Sequence, residues 1–300
     1  MKKENHRPKA NKHLAPNLGL HLVLGLLMLT AGPARAQSQR MAIPAYFEPG
    51  PLWTQMGAAT PRLGLAVLNP DSGPGDAVRA EYVPQVRAAQ ARGVIVLGYV
   101  RTSYGKRPLA QVQAEVDRFN RWYGVNGIFF DEARNDDAGL PYYLRCRAAA
   151  RTGHRKAVVA INPGTPVTEG YLAVADVVLT FEGDYGAYLT RAADPSWVAR
   201  HPARRFWHLV YAAPDAPAMR RAVMLSKTRN AGWVYVTPDT LPNPWDTLPS
   251  GSYWSGELAA LGVRSARRAL SGCLRRPHFA SIAPRLETRS LILKHAHGTS

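Results

Sequence analysis

The chain has 300 residues, 46% hydrophobic and 20% charged, enough apolar material for one large core or two small ones and too much for wholesale disorder. Its formal charge is +17, from 38 Lys and Arg against 21 Asp and Glu. Residues 1–36 hold six basic residues and one acid, and residues 263–300 hold eight and one. Only about +5 is left for the body, so the charge reads as solvated surface and no nucleic-acid partner is expected.

The first residues read as a secretory leader. Lys2, Lys3, Arg7, Lys9 and Lys12 precede an apolar run over residues 18–31, and Ala34-Arg35-Ala36 offers a small-x-small cleavage site. That 14-residue run is shorter than the ~20 residues a spanning helix needs, which favours cleavage before Gln37 over a membrane anchor. A secreted or periplasmic protein without stable membrane insertion is expected.

Eight β-prone apolar runs follow, at residues 41–47, 64–69, 93–100, 127–131, 157–162, 176–182, 205–211 and 232–237, each bounded by Gly, Pro, Asn or Asp. Between them lie helical patterns. The clearest is Leu109, Val112, Val116, Phe119 and Trp122, which recur every three or four residues. Further helices are expected over residues 77–91, 142–151, 185–200 and 216–230. This alternation fits a single α/β domain over residues 37–262, a (β/α)8 TIM-type barrel of the usual ~250-residue size, better than an open doubly wound sheet. No Gly-x-Gly-x-x-Gly follows the first strand, and the Ser72-Gly73-Pro74-Gly75 turn lacks the lysine of a phosphate loop. Residues 263–300 are basic and proline-punctuated, without sustained periodicity, and are expected to form a flexible tail.

Cys146 and Cys273 could pair in an oxidising compartment, and the sequence leaves that open. Only His154, His201 and His208 lie between leader and tail, and no Cys and His cluster has ligand spacing. Neither a metal nor a cofactor is expected. A monomer is the expected state.

In a barrel of this kind catalytic groups stand at the carboxyl ends of the strands. Two runs end there in acids, residues 127–132 in Asp131 and Glu132, and residues 177–182 in Glu182. Strict alternation puts Phe129 with Asp131 on one face, and Val178 and Thr180 with Glu182. Asp131 and Glu182 are therefore expected to share the interior, and Glu132 is either turned away or reaches the pocket past the strand end. Two carboxyl groups suit glycosidic hydrolysis, which needs a proton donor to the leaving oxygen and a second carboxylate to attack the sugar or activate water. The competing reading is helix capping or pairing with a neighbour such as Arg134. Other polar strand-end residues, Tyr46, Asn69, Tyr99, Asn162 and Tyr211, converge on the same rim. Tyr104 and Trp245, in or beside the loops, add amphipathic rings suited to sugar faces, whereas Trp122, Trp197 and Trp233 read as packing residues.

These residues resemble the spherulation-specific family 4 (spherulin 4-like) proteins. The resemblance is carried by Ile43-Pro44-Ala45-Tyr46-Phe47 with Pro49-Gly50, by Leu68-Asn69-Pro70 with Ser72 to Gly75, and by Leu97-Gly98-Tyr99-Val100-Arg101-Thr102-Ser103-Tyr104-Gly105. It continues through Gly127 to Glu132, Asn162-Pro163-Gly164-Thr165 and Phe181-Glu182-Gly183, covering roughly residues 41–255. It implies a secreted barrel hydrolase that cleaves within a galactosamine- or N-acetylgalactosamine-containing exopolysaccharide. It also implies an acidic site of Asp131, Glu132 and Glu182, with Asp131 as nucleophile or stabilising carboxylate and Glu182 as acid/base. Glu48, where a neutral residue is expected, and Arg101, where a smaller or histidine-like one is, depart from the pattern. A non-catalytic carbohydrate-binding barrel of the cell envelope is the alternative. A deacetylase is disfavoured by the missing ligand set.

Overall fold

Parallel pairing runs from β1 (Arg40–Ala45) through β2 (Leu63–Leu68), β3 (Ile95–Arg101), β4 (Gly127–Asp131), β5 (Val158–Ile161), β6 (Val177–Asp184), β7 (Phe206–Tyr211) and β8 (Trp233–Val236), and returns to β1. The computed structural model describes residues 39–262. The expected leader, the basic tail and Cys273 lie outside those residues, and with them the question of a Cys146 pair; Cys146 itself is buried on the helix before β5. The sheet closes as the (β/α)8 barrel expected from the strand count. Among the described residues, no helix is long and apolar enough to cross a membrane.

Each strand is followed by a helix: α1 (Pro51–Ala58), α2 (Tyr82–Ala91), α3 (Leu109–Tyr123), α4 (Leu140–Arg151), α5 (Tyr171–Val174), α6 (Tyr185–Thr190), α7 (Ala216–Thr228) and α8 (Gly251–Leu261). The strands are buried on both faces, which is why they read as unbroken apolar runs. α3 shows the opposite pattern: Val112, Val116, Phe119 and Tyr123 form one buried stripe, and Gly124 at φ 61° ends the helix in the left-handed conformation. Burial of each large side chain in that stripe contributes on the order of 1.5–3 kcal/mol. Gly98 on β3 admits the Phe119 ring, since a Cβ there would overlap it.

Three helices were not legible in the sequence. α5 is a single turn, and α1 and α8 lack a strong apolar stripe. The helix expected over residues 185–200 stops at Thr190, where Arg191 turns to ψ 149°, and resumes only as a 3-10 turn over Ser196–Arg200 that begins after Pro195.

Inside the barrel, side chains fill the cylinder below the mouth. Phe129 of β4 and Trp207 of β7 meet edge to face at 5.5 Å between centroids, and Leu179 is paired with Trp207. This layer is the floor on which the mouth residues stand.

Candidate active site

Asp131 is the last residue of β4, two residues beyond Phe129 on the interior face. Its carboxylate takes a hydrogen bond on each oxygen: the Tyr99 hydroxyl donates to Oδ2 at 2.7 Å and the Asn162 side-chain amide to Oδ1 at 2.7 Å. Tyr99 projects from β3, where it is paired with Phe129, and its ring meets that of Tyr46 edge-on at 5.6 Å. Asn162, just past β5, is clamped to β4 from both sides: its N–H donates to the Phe130 carbonyl, and its own carbonyl accepts from Ala133. Its side-chain oxygen accepts from the Gly164 N–H at 2.8 Å, so the amide nitrogen is left facing the acids.

That nitrogen also donates to Glu182 Oε2 at 2.6 Å. One amide therefore bridges the two carboxylates, and the bonded oxygens can be no more than about 5.3 Å apart, the sum of the two bond lengths. The other Glu182 oxygen accepts from the Trp245 indole N–H at 3.1 Å.

Glu182 reaches the interior by a route that strict alternation does not give. Leu179 pairs with Trp207 and Glu182 with Leu209, so both face inward although they are three residues apart; a bulge between Leu179 and Phe181 absorbs the extra residue. Thr180, expected on the same face as Glu182, instead meets the outward-facing His208 at 3.0 Å, and His208 in turn meets Tyr188 of α6 at 2.8 Å. All three are buried. The bulge re-aims the strand at its last turn, and the Thr180, His208 and Tyr188 chain fixes it from outside.

The environments of the acids differ. Burial and the neighbouring Asp131 charge push the Glu182 carboxyl up to about 7, against the opposing hydrogen bonds from Asn162 and Trp245. Burial also raises Asp131, but hydrogen bonds from Tyr99, the Glu132 backbone and Asn162 all favour its ionised form. Burial raises Tyr46 well above the usual phenol range, so its hydroxyl stays neutral. Neither acid follows the capping or pairing alternative: Arg134 bonds Asp136 instead.

The cavity above these groups has a volume of about 240 Å³ and is lined by Tyr46, Phe129, Asp131, Asn162, Glu182, Leu209, Tyr211 and the segment from Leu241 to Trp245. Tyr211 and Trp245 meet edge-on at 6.2 Å. The segment before Trp245 was not anticipated; Pro242, Asn243 and Pro244 beside a tryptophan were the signal available. It is tied to the barrel where the Tyr46 N–H donates to the Trp245 carbonyl at 3.2 Å.

Four expected site residues are not part of the cavity wall: Tyr99 reaches the site through its bond to Asp131, and three stand apart. Asn69 accepts from the Gly73 N–H at 2.8 Å and so closes its own turn. Tyr104 is 57% exposed on the rim, its N–H bonded to the Glu132 carbonyl. Glu132 is in the left-handed region at φ 49°, its carbonyl held by Thr102 and Tyr104, a backbone setting that is costly for a non-glycine residue. Its carboxylate is near enough to act on the Tyr99 hydroxyl. Among the departures noted in the sequence, Glu48 is exposed and paired with Arg79 at 2.5 Å, and Arg101 is exposed at the rim in register with Asp131. Among the described residues, no three His, Cys, Asp or Glu side chains converge to hold a metal ion.

Residues 40–261 match the family model described as spherulation-specific family 4. The chain belongs to that family. Over 170 residues it is 32% identical to Spherulin-4 of Physarum polycephalum, covering 54% of this chain and 50% of the relative, so the chain spans about half of that relative's length. Among solved structures, Sph3 of Aspergillus clavatus in complex with GalNAc superposes with a TM-score of 0.64 at 21% identity, over 76% of this chain and 98% of that one. At that identity the likeness is one of fold, and the spherulation-specific family 4 barrel shares it.

Proposed function

We propose that this family 4 barrel is a secreted, endo-acting glycoside hydrolase that cleaves galactosamine- or N-acetylgalactosamine-containing exopolysaccharide with Asp131 and Glu182. The observation that carries the reading is the Asn162 amide shared by two carboxylates whose surroundings set them apart. A group raised to about 7 is protonated often enough near neutrality to serve as a general acid, whereas at Asp131 hydrogen bonds from three donors favour the ionised form against the burial that raises it.

In the proposed reaction Glu182 gives its proton to the glycosidic oxygen as the bond to the anomeric carbon breaks, and the aglycone leaves as an alcohol. Asp131 attacks the anomeric carbon from the opposite face and forms a glycosyl ester. Water then displaces Asp131, losing its proton to Glu182, which restores both groups. Separations of about 5–5.5 Å between carboxyl groups go with retention of configuration, and ~6.5–9.5 Å with inversion. The limit set by the Asn162 bridge supports retention. Tyr46, Tyr211 and Trp245 supply rings for sugar faces at the cavity wall, with Tyr99 and Asn162 holding the acids. Glu132 and Tyr104 are assigned to the rim, where a longer oligosaccharide passes. Sph3 is a structural neighbour whose crystal holds GalNAc, which supports an amino sugar as the unit recognised. The leader-like pattern of residues 1–36, a basic stretch and an apolar run followed by Ala34-Arg35-Ala36, supports export.

The test is incubation of the purified protein with galactosamine-containing polymers of differing acetylation, with the released oligosaccharides identified by mass. Internal cleavage products support the proposal. Saturable binding without any new reducing ends would instead make the barrel a carbohydrate-binding module.

A further inference from the structure

Two buried polar side chains that do not line the cavity, Thr102 and Tyr143, are bonded to the backbone that carries the acids. Thr102 follows β3, and its N–H and its hydroxyl both donate to the Asp131 carbonyl, at 2.9 and 2.8 Å. The same hydroxyl is 2.9 Å from the Glu132 carbonyl, which also takes the Tyr104 N–H at 2.6 Å. Tyr143 of α4 meets the Thr102 hydroxyl at 3.2 Å and accepts from the Arg134 N–H at 2.7 Å. One assignment of hydrogens satisfies every group: the Arg134 N–H donates to Tyr143, the Tyr143 hydroxyl to Thr102, and the Thr102 hydroxyl to the two carbonyls. A single chain of donors thus grips the backbone at residues 131, 132 and 134.

We propose that Thr102, backed by Tyr143, is a positioning residue for Asp131: it fixes the peptide that follows the acid so that the backbone N–H of Glu132 stays on the carboxylate. The Asp131–Glu132 peptide is trans, since the cis bonds among the described residues precede Pro61 and Pro242, and its C=O and N–H therefore point to opposite sides. Two donors from Thr102 hold the C=O, which turns the Glu132 N–H the other way, onto the Asp131 carboxylate, where it favours the ionised form. The same grip accounts for Glu132 itself. A non-glycine residue keeps a left-handed φ of 49° only where its surroundings over-determine it, and the donors on its carbonyl do so. The titratable groups facing Asp131 are Tyr99 of β3, Tyr46 just past β1 and Glu182 of β6, with Arg101 and Glu132 at the rim. None of them shares a side-chain hydrogen bond with Thr102, so a change there leaves their side chains in place. Calling Asp131 a nucleophile rests on the proposed function; its being held by Thr102 does not.

The test is titration of the Asp131 carboxyl carbon by NMR in the purified protein, read beside the pH profile of polymer cleavage. Thr102→Val removes the hydroxyl at nearly constant volume and is expected to raise the Asp131 pKa by on the order of one unit, as the loosened peptide takes its N–H off the ionised carboxylate. Thr102→Ser keeps the hydroxyl and is expected to titrate as the parent does. Tyr143→Phe keeps the ring against Tyr142 and Tyr171 but loses the hydroxyl behind Thr102, and is expected to move Asp131 the same way by less. With galactosamine polymer, the acidic limb of kcat/KM in Thr102→Val should follow the titration to higher pH, because the attacking group must be ionised, with kcat down roughly tenfold or more and KM little changed. If Thr102→Val does not fold, the Tyr143→Phe titration decides alone. An Asp131 titration that stays in place in the folded variants, or that moves as far in Thr102→Ser as in Thr102→Val, would overturn the proposal. A shifted titration in a protein whose parent cleaves no amino-sugar polymer would sink the proposed function and leave the positioning role standing; cleavage by the parent with an unmoved titration would do the reverse.

Discussion

Trp245→Phe isolates the hydrogen bond that separates Glu182 from an ordinary buried acid. The change keeps an aromatic ring against Tyr211 and Tyr235 and removes one donor, the indole N–H at 3.1 Å from Glu182 Oε1. That bond favours the ionised carboxylate, so its loss must raise the pKa of Glu182 above its value of about 7. Hydrogen bonds to charged groups are worth about 1.5–3 kcal/mol, and one pKa unit is about 1.4 kcal/mol, so a bond of this length predicts a shift of about one unit. As the proton donor, Glu182 sets the alkaline limb of kcat/KM, which should move from about 7 to about 8. The ratio of activity at pH 8 to that at pH 6 should then rise about fivefold, even if the variant is slower at its optimum. The assay is the pH profile of reducing-end release at low substrate. An alkaline limb that stays in place or moves to lower pH would refute the assignment of Glu182 as the acid.

Other outcomes follow from the same geometry. Asn162→Leu removes the shared donor from both acids and should lower kcat about a hundredfold or more with a much smaller change in KM, which steady-state kinetics on a soluble oligosaccharide would resolve. Thr180→Val leaves buried His208 without its Nε2 partner, at a cost of about 1–3 kcal/mol, and should lower Tm by on the order of 5 °C in thermal unfolding. The same variant should lose kcat as the β6 bulge relaxes and Glu182 loses its aim; unchanged kcat would separate the bulge from catalysis. Proton spectra taken in the first minutes of cleavage should show the product anomer matching that of the substrate, and the opposite anomer would overturn the two-step scheme.

The barrel was legible because parallel strands buried on both faces leave apolar runs of the right length, and eight of them fall between residues 41 and 237. Asp131 could be placed because β4 is short and regular. Glu182 was placed inside for a reason the structure corrects: Leu179, not Thr180, shares its face, since a bulge leaves no mark in the residue pattern that alternation can read. The sequence places Asn162 on the rim, where its amide proves to be engaged by the two acids. Asn69 was misjudged for a related reason, because an Asn beyond a strand serves its own turn as readily as a pocket. The wall from Leu241 to Pro244 lies in a long connection without periodicity, so only its neighbour Trp245 drew notice.

The account depends on Asp131 and Glu182 acting as a pair on one glycosidic bond. Purified Asp131→Asn and Glu182→Gln proteins, each with the parent's Tm, should release no more than about a thousandth of the parent's reducing ends from galactosamine polymer. Full activity in either variant would contradict it.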